Sequence, residues 1–390
     1  MKAKRLFVLI PVLSVSLVGC GTPIKYAEHL DDYVFAMKYK KDFTILQLTD
    51  IHWNVNTSTY SSKRYLDKVF KEVQAHIKKA DPNNKIDLVE LTGDMFMLSN
   101  SSHVRSFINF MEEESEKYGN FQYAAIWGNH DRHGIYNPNW LAKQFANAKH
   151  CYYFETYDDL YGRSNFMINL TSDGSKTSEV KWQIANLDSG ASFSDTSISP
   201  FRDYDYIRKD QTQWWLAQHK NNAPGIAYYH IPQDENDKMW AKYKANATSV
   251  KQMFFKLEDF AANESEEYAS DFIDVAIENN LKGAFMGHAH NVDWTVEMTG
   301  NNGNKMLLGL GVKTGEELYY AHIDINTTDP DMKSGLNSLP NQINENFDLI
   351  GASLVTLTDA VDDIQGNFKL EHLYLNETTS GDKTWWEEWQ

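Results

Sequence analysis

A strand-like run that ends in two metal-capable side chains constrains this chain more than any other feature. Residues 43–49 are apolar and β-branched, which is typical of a buried strand. Asp50 and His52 follow at once, and at an i, i+2 spacing their side chains point the same way. A carboxylate and an imidazole placed together can hold one metal ion. The stretch therefore predicts a strand with a metal site at its end.

Two glycine-containing stretches repeat this arrangement. Gly93 and Asp94 follow the run 86–92, and the glycine lets the backbone turn sharply and approach an ion closely. Asn129 and His130 follow a third run within a Gly-Asn-His-Asp turn, which sets an amide oxygen beside an imidazole proton donor. Gly-Asp pairs are common in ordinary turns, so the second stretch is the more specific of the two.

Three more histidines end two later apolar runs. His230 follows residues 225–229, and His288 and His290 follow residues 282–286. A single histidine at a strand end is more often structural than a ligand, so these gain meaning only in combination. The five stretches together supply Asp50, His52, Asp94, Asn129, His130, Asp131, His230, His288 and His290.

The pattern between these stretches predicts alternating strands and helices. Apolar residues at three- and four-residue spacing mark a helix with one buried face; they are Leu66, Val69, Phe70, Val73 and Ile77. A second helix is expected over 104–118. This alternation favours βαβ units with a right-handed, largely parallel sheet. Because ligands bind at the carboxyl ends of such strands, we expect the five stretches to converge.

The rest of the chain has a different character. Residues 236–280 are mostly helical in pattern. Short alternating segments then predict an antiparallel second sheet; they are 294–298, 306–310, 318–325, 354–357 and 368–375.

The N-terminus predicts export and a lipid anchor. Three basic residues precede an apolar run, 6–19, that is too short to span a bilayer, which is the layout of a signal peptide. Its end, followed by Cys20, resembles the lipobox of bacterial lipoproteins. We expect cleavage after residue 19, lipidation of Cys20 and a position on the extracellular face of the cell membrane. An ordinary secretory signal with an incidental cysteine is the alternative.

The charge and the cysteine content limit the classes of binding partner and the disulfide bonds that this chain can have. The formal net charge is −17, and loss of residues 1–19 removes three positive charges, which gives −20. Such acidity argues against nucleic-acid binding driven by surface charge but is compatible with a small phosphorylated substrate. Lipidation of Cys20 leaves Cys151 without an intrachain disulfide partner.

In their order along the chain the five stretches resemble the calcineurin-like metallophosphoesterase superfamily, over residues from about 43 to 290. The resemblance implies an α/β fold, a four-layer αββα sandwich of two mixed sheets flanked by helices. We expect a tether over 20–40, the metallophosphoesterase domain over 41–376 and an acidic aromatic tail over 377–390. The resemblance also implies two divalent metal ions: one held by Asp50, His52 and His290, the other by Asn129, His230 and His288, with Asp94 as the bridge. His130 would stand outside them as an acid or phosphate contact.

The motifs are most similar to the purple-acid-phosphatase-related branch. The tyrosine that purple enzymes carry three residues after the bridging aspartate is Met97 here, so we expect no ferric-tyrosinate chromophore. The aspartate and arginine that Ser/Thr phosphoprotein phosphatases carry after Gly-Asp are also missing from residues 95–97, which argues against protein dephosphorylation.

Two divalent ions side by side can activate a water and stabilise both the attacking and the leaving oxygen of a phosphate ester. We expect in-line attack on phosphorus, with His130 protonating or stabilising the leaving oxygen and Asp131 a candidate to orient His130. Arg132 and His133 are candidates for substrate contacts, with a solvated loop as an equal alternative. Mixed nitrogen and oxygen ligands suit manganese, iron, zinc or cobalt.

The sequence favours a phosphomonoesterase. One alternative is a phosphodiesterase or nucleotidase that acts on extracellular nucleotides. An alternative of another class is a surface lipoprotein that uses the fold to bind a ligand or host partner without catalysis. Degenerate sites lose ligands, and here every expected position is filled, which favours an enzyme.

Overall fold

The structure is a computed structural model, and it describes residues 33–53, 62–97, 99–132, 137–156, 159–191, 204–245, 250–256, 260, 270–315, 350–377 and 384–389. These residues form two mixed β-sheets flanked by helices, so the expected fold class is confirmed. The signal peptide, Cys20, His133 and the strand expected at 318–325 lie outside the described residues. No helix within them is long and apolar enough to cross a membrane.

One sheet carries the first three of the polar stretches. Its parallel strands are β2 (Phe43–Leu48), β3 (Leu88–Thr92), β4 (Gln122–Ile126) and β5 (Cys151–Tyr152). Three antiparallel strands extend it beyond β2: β13 (Ile350–Leu357), β14 (Phe368–Glu377) and β15 (Thr384–Trp389). The strand order is β15-β14-β13-β2-β3-β4-β5.

Three helices cover the outer side of this seven-stranded sheet: α1 (Ser62–Ala80), α2 (Ser101–Lys117) and α3 (Pro138–Asn147). The five apolar residues predicted to form the buried face of α1 are all buried. Along β2 the side chains alternate as a strand between two layers requires. Phe43 and Ile45 pack between the sheets, whereas Leu46 and Leu48 pack toward the helices.

The second sheet carries the remaining two stretches. Its strands are β1 (Val34–Lys38), β6 (Phe166–Thr171), β7 (Val180–Asn186), β8 (Gly225–Tyr228), β9 (Val250–Lys256), β10 (Leu281–Met286), β11 (Val292–Thr299) and β12 (Lys305–Leu310). Their order is β1-β6-β7-β8-β10-β12-β11-β9. Three more helices belong to this half of the chain: α4 (Lys209–Gln218), α5 (Asp234–Lys244) and α6 (Phe272–Glu278).

The expectation that the C-terminal segments form a separate antiparallel sheet is wrong. β12 pairs in parallel with β10, and β11 continues that sheet, whereas β13 pairs with β2 of the other sheet. An alternating pattern reports that a segment is a strand but not which sheet it joins. The prediction that 236–280 is mostly helical is also wrong over β9, which is a strand between α5 and α6. The helical patterns on both sides of β9 hid it.

Strands pair on the far side of both expected boundaries of the metallophosphoesterase domain. Part of the predicted tether, β1, pairs in parallel with β6, so the fold includes residues upstream of 41. Part of the predicted tail, β15, pairs with β14. Five-residue β1 is too short for its period to be recognised, and the paired glutamates of β15 gave that segment the composition of a solvated tail.

A row of polar side chains crosses the seven-stranded sheet on its inner side. The cross-strand register aligns His372, Ser353, Gln47 and Glu90 on β14, β13, β2 and β3, and all four are buried. Gln47 donates to Thr92 Oγ1 at 3.0 Å, and His372 Nδ1 lies 2.7 Å from Asp293 Oδ1. Glu90 differs: within the described residues neither of its carboxyl oxygens makes a well-aligned hydrogen bond, and the neighbouring Asn186 amide only partly offsets its burial. Burial raises the pKa of Glu90 well above its ordinary value.

We predict that Glu90→Gln stabilises the protein at neutral pH. The unfolded carboxyl ionises near its ordinary pKa of 4.5, while the buried one keeps its proton, so the wild type loses stability as the pH rises above that value. The glutamine carries no such cost. Thermal unfolding from pH 4 to pH 8 should show the variant melting higher, with a difference that grows with pH. A difference independent of pH would contradict a neutral buried Glu90.

Candidate metal centre

The five polar stretches meet in the structure, and they come from both sheets. The loops after β2, β3 and β4 bring Asp50, Asp94 and Asn129, and the loops after β8 and β10 bring His230 and His288. The side chains form two groups that share Asp94, and within each group the potential ligand atoms lie within 4.8 Å of one another. The first group is Asp50, His52, Asp94 and His290, and the second is Asp94, His230 and His288.

Individual distances show how the shared carboxylate joins the groups. Asp94 Oδ2 lies 3.3 Å from His230 Nε2 and 3.6 Å from His52 Nε2. In the first group, Asp50 Oδ1 lies 3.3 Å from His290 Nε2. Asn129 Oδ1 is 3.0 Å from His230 Nε2, which places the amide with the second group. The structure thus brings together all seven predicted ligands, in the two sets that the resemblance implied.

Backbone hydrogen bonds keep the first two loops in register after their strands end. The Asp50 N–H donates to Gly93 O at 3.1 Å, and the His52 N–H donates to Asp94 O at 3.0 Å. On the other side, the Gly315 N–H donates to Asp50 O at 3.1 Å. The loop that carries two candidate ligands is therefore fixed from both sides, as pre-organised metal binding requires.

Four candidate ligands have a left-handed backbone conformation: Asp50 at φ 51°, His52 at 47°, Asp94 at 50° and His288 at 74°. Such angles are uncommon outside glycine and cost about 1–3 kcal/mol each. Strain of this kind persists only where surrounding contacts enforce it. Its concentration in one place supports a functional site.

Two glycines allow the loops to approach each other. A Cβ on Gly93, which has φ +92°, would lie 2.5 Å from His230 Nδ1. A Cβ on Gly128 would lie 2.2 Å from Asp94 Oδ1. Any side chain at either position would displace a candidate ligand, which explains the glycines of the Gly-Asp and Gly-Asn-His-Asp stretches.

The electrostatics of the group reflect tightly packed charge. Burial opposes ionisation of Asp94, but the imidazoles of His230 and His52 outweigh it and hold the pKa of this carboxyl well below its usual range. Burial disfavours the charged form of His230, yet Asp94 raises the pKa of His230 to about 9. Desolvation and the nearby charge of His230 lower the pKa of His288 to about 3. A cation bound here would take over the role of the His230 proton.

The donor set fits divalent metal ions. Asp50 Oδ1, His52 Nε2 and His288 Nε2 are buried atoms with no hydrogen-bond partner in the described part of the chain. Buried polar atoms without partners are costly, and these three belong to the two ligand groups. Carboxylate, amide and imidazole donors suit manganese, iron, zinc or cobalt. The residues present therefore fit two ions, and the identity of the metal stays open.

Comparison with known protein families identifies the family of this chain. A family model described as calcineurin-like phosphoesterase matches residues 43–292, more than half of the chain. This chain belongs to the calcineurin-like phosphoesterase family. The superfamily predicted from the motifs is therefore confirmed, and as a calcineurin-like phosphoesterase the protein is a phosphoester hydrolase.

Relatives of this calcineurin-like phosphoesterase include two Arabidopsis thaliana proteins. "Probable inactive purple acid phosphatase 14" is 25% identical over 334 residues, which cover 77% of this chain and 79% of the relative. "Probable inactive purple acid phosphatase 29" is 25% identical over 300 residues, which cover 67% and 70%. A crystal structure of a dimetal phosphatase from Danio rerio aligns with 82% of this chain and 94% of its own, at 9% identity and a TM-score of 0.45.

The structure places His130 beside the first ligand group. Its backbone N–H donates to Asp94 Oδ1 at 2.8 Å, and its ring centroid lies 5.4 Å from that of His52. His130 thus follows Asn129 on the turn but stands outside both ligand sets, where a proton donor is expected.

Asp131 is used differently from the expectation that it orients His130. Its Oδ2 accepts the Gly128 N–H at 2.9 Å and its Oδ1 accepts the Phe96 N–H at 3.0 Å. Burial and the charge of Asp94 raise the pKa of Asp131 to about 8 in the absence of a cation. The contacts make Asp131 a residue that ties the loop after β4 to the loop after β3.

Arg132 does not present a free guanidinium to substrate. It forms an ion pair with the buried carboxylate of Asp188, and the guanidinium lies over the Trp127 ring, 5.9 Å from its centroid. Asp188 was missed in the sequence, although it follows β7 just as the other acidic residues follow their strands. Tyr204 was also missed, and its ring packs against His288 at a centroid distance of 4.2 Å.

We predict that Asp131→Ala destabilises the fold. The change leaves the Gly128 and Phe96 N–H groups without an acceptor in a buried place, which should lower the free energy of unfolding by about 2–4 kcal/mol. Urea denaturation measured with a chelator present separates this from any effect on metal binding. An unchanged unfolding midpoint together with lost activity would instead support the catalytic role.

Proposed function

We propose that this phosphoester hydrolase is a metal-dependent phosphomonoesterase. The observation that carries the proposal is the pair of ligand groups joined by Asp94, with His130 beside them. The two plant relatives carry purple acid phosphatase names, which supports a monoester substrate. The negative net charge of the chain repels an anionic substrate, and bound cations would offset this repulsion.

Cations held in the two groups would activate a water molecule and neutralise the phosphate charge. Asp50, His52 and His290 would hold one of them, and Asn129, His230 and His288 the other, with Asp94 as the bridging carboxylate. His130 would hold a proton for the leaving oxygen. Its backbone bond to Asp94 Oδ1 fixes the distance between this acid and the ligand groups.

The two plant relatives are named inactive, which raises the non-catalytic alternative for this chain. The residues of this chain favour catalysis. All seven predicted ligands are present and gathered, four of them hold strained backbone angles, and buried ligand atoms lack other partners. Clustered and strongly perturbed ionisable groups are concentrated at the active sites of enzymes.

We expect chelation to abolish hydrolysis of an aryl phosphate monoester and added manganese, zinc or cobalt to restore it. A bis-aryl diester and nucleoside monophosphates assayed in parallel identify the preferred class, and monoester turnover should exceed diester turnover at least tenfold. A diester preference would replace the monoesterase by a phosphodiesterase. Metal binding without turnover of any of these esters would favour the non-catalytic binding protein.

Asp94→Asn provides the matched test of the shared ligand. The amide has the size of the carboxylate but no charge, so it cannot offset two cations. We predict a loss of activity of about 100- to 1,000-fold, the magnitude typical of removing one group that stabilises the transition state electrostatically. Circular dichroism should show the fold retained, and metal content should fall. Normal turnover by this variant would refute the bridging role.

A further inference from the structure

His288 is held mainly by aromatic contacts. Its backbone N–H donates to Asp50 Oδ2 at 3.0 Å, which fixes the main chain. The ring lies between two others: Tyr204, at 4.2 Å between centroids and 77° between planes, and His230, at 5.1 Å and 72°. Both contacts are edge-to-face, the favoured geometry for aromatic pairs. They leave Nε2 of His288 without a hydrogen-bond partner among the described residues, as a metal ligand requires.

The chain segment that carries Tyr204 is anchored by the residue next to it. Asp205 is buried, and its N–H donates to Ala191 O at 3.3 Å. The Asp205 carboxylate accepts from Arg208 Nη2 at 2.8 Å and from the Tyr161 hydroxyl. A carboxylate with an ion pair and a phenol donor has little freedom to move, so the backbone at Tyr204 is fixed as well.

The same segment is tied to the loop after His230. The Ile207 N–H donates to Gln233 Oε1 at 3.0 Å, and the Ile231 N–H donates to Ser189 Oγ at 2.8 Å. Next to Ser189, Asp188 forms the ion pair with Arg132 of the turn that carries Asn129. Tyr204 is therefore held in register with the two loops that carry His230 and Asn129.

We propose that Tyr204 is a positioning residue for the second cation: its ring fixes the orientation of the His288 imidazole. This inference rests on the proposed dimetal function and adds a residue to it. Groups that orient a ligand without touching the metal typically contribute 10–100-fold to metal affinity. Since the contact is made by the ring, the hydroxyl is dispensable for this role. Tyr204→Phe should retain it and Tyr204→Leu should not.

The test is a titration of the metal-free protein with manganese or zinc, followed by calorimetry, with metal content measured after dialysis. Wild type and Tyr204→Phe should bind two ions. Tyr204→Leu should bind the first ion normally and the second 10–100-fold more weakly. Tyr206→Leu is the matched control, because the ring of this nearby aromatic residue packs on the Arg208 guanidinium, 4.4 Å from the ring centroid. It should bind both ions.

Equal affinity of Tyr204→Leu and wild type for the second ion overturns the proposal, and so does loss of that ion in Tyr204→Phe. A wild type that takes up fewer than two ions instead refutes the dimetal function itself, so the two failures are distinguishable. If circular dichroism shows that Tyr204→Leu does not fold, Tyr204→Met, which fills the space with a flexible chain, replaces it. Unchanged binding of the second ion by that variant also overturns the proposal.

Discussion

The carboxylate of Asp94 is the group on which the rest of this site depends. One oxygen accepts the backbone N–H of His130, and the other lies within 3.3–3.6 Å of two imidazoles from different sheets. A buried charge is stable only if it is balanced. Without a cation, the raised pKa of His230 favours a protonated imidazole that balances the Asp94 charge. Bound cations would take over this role. The loops after β2, β3, β4 and β8 are thus arranged around one negative charge.

The loops reach this arrangement at a conformational cost that the neighbouring structure offsets. The cost of the left-handed angles at Asp50, His52, Asp94 and His288 is offset by backbone hydrogen bonds between adjacent loops. Gly93 removes the Cβ that would otherwise keep the loops apart. Strain and close approach belong together here, because side chains from remote parts of the chain can share an ion only where the backbones come unusually near each other.

The sequence predicted the local features well. Each ligand follows an apolar run, and a strand that ends in polar residues at a glycine leaves a strong local signal, as at Asp94 and His288. The buried face of α1 was equally clear, because a nineteen-residue helix repeats its period several times. Asp131 was placed correctly on its turn, but its hydrogen bonds to Gly128 and Phe96 follow from tertiary packing and leave no trace in the motif.

Features that depend on which elements pair could not be predicted from local pattern. The assignment of β12 to one sheet and β13 to the other is decided by the crossing of the chain between layers, and β9 is hidden between helical stretches. Tyr204 illustrates the same limit, because its significance comes only from the ring that it meets.

The candidate ligands come from two sheets, so the hydrophobic core packed between the sheets sets the distance between them. Asp50 and Asp94 move with one layer, and His230 and His288 with the other, so the side chains that space the layers also set how far apart the two sets of ligands stand. A methyl group gained or lost beside Ile45 or Ile184 would change the spacing between the two sheets, and that change would alter the site from a distance. In this way a substitution in the core would change which ionic radius fits the site, without any change in the residues that would contact the ion.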